Sequence, residues 1–204
     1  AISAIRVASG GANSTSDALL RLRDLAIASS SSTLDDTARN AIQTEVNNII
    51  SFVDQVSETT EFNGTPLLNG DAGDLTFQVG PDAGADNQIT VETPDIGAES
   101  LGIDQASVAT VEDAQQLIQT VDSALEQLGE VKADFGVAEV KLTSAHDRAS
   151  GELVTKQNAI SNLRDTDLAS ASTGLAQELV LAQAQVAMRA QSNASASVTL
   201  KLLG

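Results

Sequence analysis

Between Val111 and Leu163 the apolar residues recur at steps of three and four: Ala114, Ile118, Val121, Leu125, Leu128, Val131, Phe135, Ala138, Leu142, Ala145, Ala149 and Leu153. That spacing gathers them on one stripe of a single long helix. No proline interrupts the run, and Gly129, Gly136 and Gly151 weaken the helix without ending it. At about 1.5 Å of rise per residue such a helix is a rod of roughly 80 Å. A rod with one apolar stripe is unstable alone in water, so the rest of the chain is expected to cover it.

The segment 1–29 reads as one covering helix. Leu19, Leu22, Leu25 or Ala26, and Ala28 make an apolar face, while Arg21, Arg23 and Asp24 face solvent. Its first half is a poor helix former, with Gly10, Gly11 and Asn13-Ser14-Thr15-Ser16, and needs support from elsewhere. A serine loop leads to Thr33-Leu34-Asp35-Asp36, an N-cap followed by acidic first-turn residues. Leu34, Ala38, Ile42, Val46, Ile49, Val53 and Val56 then carry a second stripe, predicting a helix over about 33–60. Asn63-Gly64, Pro66 and Asn69-Gly70 are turn signals, and Leu75-Phe77-Val79 with Ile89-Val91 alternates as a β-hairpin over about 74–93. A linker with Pro94, Gly97 and Gly102 leads to the long helix, over about 110–163.

After Arg164-Asp165-Thr166-Asp167 the character changes. From Leu168 to Gly204 the charges are Glu178, Arg189 and Lys201 alone, among Ala, Gln, Ser, Leu and Val. Such a nearly uncharged helix of small side chains is unlike a solvated surface helix. It is expected to be surrounded by copies of itself or by a partner. The fold class is thus mainly α: an elongated antiparallel helical bundle or coiled-coil rod over 1–165 with one small hairpin, then a C-terminal helix over 166–204.

The chemistry of sites is sparse. Cysteine is absent, which excludes disulfides and thiolate chemistry, and no cofactor or metal is expected. His146 is the sole histidine and reads as an exposed helix residue. Asp71, Asp74, Asp82 and Asp86 surround the hairpin without the spacing of a twelve-residue calcium loop, so they read as turn formers. Asn13-Ser14-Thr15 and Asn193-Ala194-Ser195 match the glycosylation acceptor pattern by chance, inside expected helices. No enzyme is indicated. The net charge of −17 argues against nucleic acid or an anionic membrane, and no apolar run is long enough to span a bilayer. Identical copies repel at long range, so self-association must rest on apolar packing aided by salt. Four Phe, no Tyr and no Trp leave a core of small aliphatics suited to close helix packing. Neither a secretory signal nor an initiator Met opens the chain, which suggests a processed chain or a fragment.

Taken in order, these residues resemble bacterial flagellin. Leu20-Arg21-Leu22-Arg23-Asp24-Leu25-Ala26-Ile27 is similar to the family's Q-R-V-R-E-L-A-V stretch, and Ile42-Gln43-Thr44-Glu45-Val46 to its I-Q-x-E-I segment. Thr60-Glu61-Phe62-Asn63-Gly64-Thr65 resembles the T-Q-F-N-G turn; Phe77-Gln78-Val79-Gly80 and Ser100-Leu101-Gly102-Ile103-Asp104 resemble the hairpin and its exit. Ile160 to Leu168 is similar to S-R-I-E-D-A-D-Y, and Val198 to Gly204 to the V-L-S-L-L-G terminus.

The resemblance implies a filament subunit that self-assembles for motility. It would be exported unfolded without a cleaved signal peptide and reside outside the cell on the flagellum. Its implied partners are other flagellin subunits, an export chaperone, the filament cap, and the vertebrate Toll-like receptor for flagellin. The matching receptor positions are Arg21, Leu25 and Glu45, with Leu20 and Asp24 in place of the family's Gln and Glu. Self-association is expected at Leu175, Leu179, Val186, Val198 and Leu202. Relative to the family, the N-terminal inner-tube helix and the variable outer domain are missing, and Arg189 and Lys201 add charge to a tail usually close to neutral. The rival readings are a hook–filament junction protein of the same superfamily and a surface binding protein on a flagellin scaffold. Scarce aromatics disfavour a sugar-binding version of the latter.

Overall fold

The computed structural model describes residues 1–203, with side chains described through Val198. In chain order the elements are α1 (Ile2–Ser29), α2 (Asp36–Thr59), β1 (Glu61–Phe62), β2 (Thr65–Pro66), β3 (Leu75–Gln78), a 3-10 turn (Ala85–Asn87), β4 (Gln88–Val91) and α3 (Val111–Leu203). The chain divides into two compact units, residues 1–149 and a second beginning at Ser150. It is mainly α, as the periodicity predicts.

In the first unit the α3 seam is buried at Ala114, Leu117, Val121, Ala124, Leu128, Phe135, Ala138, Leu142 and Ala145, with Ile118, Leu125 and Val131 packed against the same core. With the partly buried Val131 between Leu128 and Phe135, steps of three and four alternate along these residues, which is the heptad spacing of a coiled-coil seam. Helix α1 supplies one cover. Arg6 Nε donates to Glu139 Oε1 (2.7 Å) and Arg23 Nε to Asp122 Oδ1 (2.6 Å). The two pairs lie 17 residues apart on α1 (6 to 23) and 17 apart on α3 (122 to 139), so the helices run antiparallel in one constant register. Continued, that register sets Ala1 beside Ser144. The last buried residue of the stripe is Ala145, and the expected seam residues Ala149 and Leu153 are exposed.

The glycine-rich first half of α1 is helical from Ile2, with Ala4, Ile5, Ala8 and Ala12 buried. The support it needs comes partly from the ribbon β1–β2. Asn63 (φ 55°) and Gly64 (φ 79°) both have positive φ, and Phe62 pairs with Thr65. A two-residue loop of this kind is the Asn-Gly hairpin turn that matches strand twist. The sequence was read only as far as a turn here; the register adds a second ribbon that delivers Leu67 and Leu68 into the core. A Cβ on Gly11 would lie 2.5 Å from Leu68 Cδ1 and 2.7 Å from Thr60 Oγ1, whereas one on Gly10 would meet open space. Leu68 is fully buried and has nowhere to retreat. Gly11→Ala should therefore destabilise the unit by about 1–3 kcal/mol through overpacking, while Gly10→Ala should stabilise it by up to about 1 kcal/mol through helix propensity. Urea melts of the two variants should shift in opposite directions.

Strands β3 and β4 pair antiparallel, Leu75 with Val91 and Phe77 with Ile89, and these residues face the core. The linker after them is more than a connection. Ile96, Ala98, Leu101, Ile103 and Val108 are all buried, and Ser57 Oγ and Ile96 N both donate to Leu68 O (2.7 and 2.9 Å). Asp54 Oδ1 accepts from Ala98 N at 2.8 Å.

Two boundaries differ from the sequence reading. Asp35, not Thr33, caps α2: its carboxylate accepts from Ala38 N (2.7 Å), while the Thr33 hydroxyl bonds Ser31. An ionised acceptor is the better partner for the positive helix end. Helix α3 also runs unbroken through residues 164–167, where the sequence suggested separate helices over 110–163 and 166–204. None of the four is Pro or Gly, and the Thr166 hydroxyl donates back to Asn162 O (2.7 Å) inside the helix.

Candidate functional site

From Ser150 to Val198 no side chain is buried. Large aliphatics nevertheless recur there: Leu175, Leu179, Val186 and Val198 are between 55% (Leu179) and 67% (Val186) exposed, joined by Leu168, Val180 and Leu181. Leu179, Ala182, Val186 and Ala190 share one face at helical spacing, with a shallow concavity among them. Leu202, the remaining expected self-association residue, lies outside the described side chains. A helix surface of this composition leaves apolar area in water, unfavourable by about 25 cal/mol per Å².

In the first unit, Arg21 and Glu45 form an exposed ion pair between α1 and α2, with Arg21 Nε 2.9 Å from Glu45 Oε1. They flank a shallow apolar groove at Ala18, Ile49 and Phe52. Leu25, the third residue of the suggested receptor set, is instead half-buried against the core. His146 is exposed on α3. Asp71 N donates to Asn69 Oδ1 (3.1 Å) in a side-chain turn, and Asp74, Asp82 and Asp86 are exposed. Among the described residues no group of three acidic, His or Cys side chains is placed to hold a metal, and no helix is long and apolar enough to cross a membrane.

The junction that fixes this geometry was missed by the sequence reading. Arg39 is 7% exposed; its guanidinium donates to Ser29 O and to Ser31 O (2.8 Å for the latter). A cation on the last carbonyls of α1 suits that negative helix end. Ser29 Oγ donates in turn to Val108 O (3.0 Å), and the Gln43 carboxamide both donates to Ala106 O (3.0 Å) and accepts from Val108 N (2.8 Å). Three segments are thus tied together just before α3 begins. The available signal was phase: stepping back by three and four from Val53, Ile49, Val46 and Ile42 lands on Arg39, a seam position. Arg39→Met should lower the stability of the first unit by about 1–3 kcal/mol, since it orphans the buried Ser29 carbonyl; urea unfolding followed by circular dichroism measures this.

The helical regions match known families at both ends. The family model "Bacterial flagellin N-terminal helical region" covers residues 1–72, and "Bacterial flagellin C-terminal helical region" covers 118–203. The flagellar filament 31.3 kDa core protein of Treponema maltophilum is 30% identical over 216 residues, spanning 99% of this chain and 76% of its own. The chain belongs to the flagellin family. A flagellin of Bacillus subtilis strain 168 is 31% identical over 238 residues, covering 99% of this chain and 77% of its own. Among solved structures, Bacillus cereus flagellin superposes with a TM-score of 0.65 at 24% identity, over 72% of this chain and 84% of its own, a likeness of fold. Flagellin is a family of structural proteins, in keeping with a site made of surfaces.

Proposed function

We propose that this flagellin-family chain is a structural subunit of a flagellar filament, joined to its neighbours by helix–helix packing. The observation that carries this reading is the ordered row of large aliphatic side chains left bare along residues 168–198 of a nearly uncharged helix. Each such side chain contributes about 1.5–3 kcal/mol when a neighbour covers it, against about 0–1 kcal/mol for an exposed ion pair. On this reading Leu175, Leu179, Val186, Val198 and Leu202 self-associate. Residues 1–165 form the rod portion, and 166–204 a helix of the inner-tube type.

The protein would then be extracellular on the flagellum, exported without a cleaved signal peptide and handled on the way by an export chaperone and the filament cap. Arg21 and Glu45 are the positions offered to a host Toll-like receptor, with Leu25 acting from beneath as packing. The test is polymerisation of the full-length protein from seeds, scored by electron microscopy at rising salt. Filaments that lengthen with salt support the proposal; chains that stay monomeric at every salt concentration refute it.

A further inference from the structure

The two Asn-Gly pairs, Asn63-Gly64 and Asn69-Gly70, share a sequence and differ in surroundings. Asn69 is clasped: its Nδ2 donates to Asp71 Oδ2 (2.7 Å), its Oδ1 accepts from Asp71 N, and its backbone bridges to Asp95. Gly70 is backed by Asp95, whose Cβ lies 3.2 Å from where a Gly70 Cβ would be. Asn63 is exposed at the tip of the β1–β2 turn, and no hydrogen bond among the described residues holds its carboxamide. Gly64 beside it has nothing within 4 Å of a built Cβ, so nothing blocks approach over that peptide.

We propose that Asn63 is a site of spontaneous modification, at which the chain records its own age. The Gly64 backbone nitrogen attacks Asn63 Cγ; the new C–N bond closes a five-membered imide, and the side-chain nitrogen leaves as ammonia with the Gly64 amide proton. Water then opens the ring at either carbonyl, giving aspartate or isoaspartate. The reaction needs no oxidant, reductant or enzyme. Its consequence is structural: isoaspartate adds a methylene to a two-residue turn whose register seats Leu67 and Leu68 beneath α1.

The experiment ages the full-length folded protein in mildly alkaline buffer at physiological temperature, with a parallel sample in urea. Peptide mass spectrometry and isoaspartyl methyltransferase labelling then follow both asparagines. Folded protein should deamidate severalfold faster at Asn63 than at Asn69, with isoaspartate among the products, while in urea the two rates converge. In Asp71→Ala the folded-state rate at Asn69 should rise towards that of Asn63. Equal or slower reaction at Asn63 in folded protein, a product free of isoaspartate, or an unmoved Asn69 rate in Asp71→Ala would each overturn the assignment.

Discussion

Leu128→Asp should unfold the first unit at room temperature, while Glu126→Ala, two residues away, should leave its melt within about 0.5 kcal/mol of the parent. Leu128 is 1% exposed and sits mid-seam, one heptad from Val121 and one from Phe135, both buried; Glu126 lies on the solvent side of the same turn. Removing a buried leucine costs about 2–5 kcal/mol. Placing an unpaired carboxylate in the space adds several more. Their sum reaches the whole of a typical domain stability, about 5–15 kcal/mol. Nothing comparable attends Glu126, whose side chain remains hydrated. Urea titration of both variants, followed by circular dichroism and by amide exchange across α1, measures the contrast. Equal losses would place Leu128 and Glu126 in the same environment and overturn the helix phase.

What was legible in the sequence was periodicity. The α3 stripe, the α2 stripe and the β3–β4 alternation each follow from a repeat of fixed period, and each is present. Which part of a stripe is buried was not legible: Leu153 looks like Leu142 in sequence, yet Leu142 is buried and Leu153 is exposed. Residues whose role depends on distant partners were also hidden. Arg39, unremarked in the sequence, becomes a clasp because Ser29 and Ser31 present carbonyls to it. Thr15 reads as part of a weak polar run, and is fully buried on the α1 core face. The linker at 96–108 lacks any period, yet it is pinned by Asp54 and Gln43 reaching across from α2. The bare aliphatic face of residues 168–198 was readable because its signal is an absence of charge, which needs no partner to be seen.

Leu179→Asp with Val186→Asp should abolish filament growth while leaving the unfolding of residues 1–149 unchanged. Both side chains are more than half exposed, so within one molecule the substitutions remove no buried contact and create no cavity. Between molecules the account differs. Each lost aliphatic forfeits about 1.5–3 kcal/mol of burial per contact, and each new carboxylate must be dehydrated if the face closes. The chain already carries −17, and two further charges per copy bring it to −19, since neither Leu179 nor Val186 is ionisable. Salt separates the two effects. If repulsion alone blocked assembly, raising ionic strength would shorten the screening length from about 10 Å at 0.1 M to about 3 Å at 1 M and restore growth. Dehydration of a carboxylate within a packed seam is not relieved in this way, so seeded samples should remain without filaments at high salt. Leu179→Ala with Val186→Ala, which leaves the seam dry but shallow, should raise the critical concentration for assembly without preventing it. Filaments of normal length from the Asp pair would mean that this face never meets a neighbour, and the packing assigned to residues 168–198 would have to be abandoned.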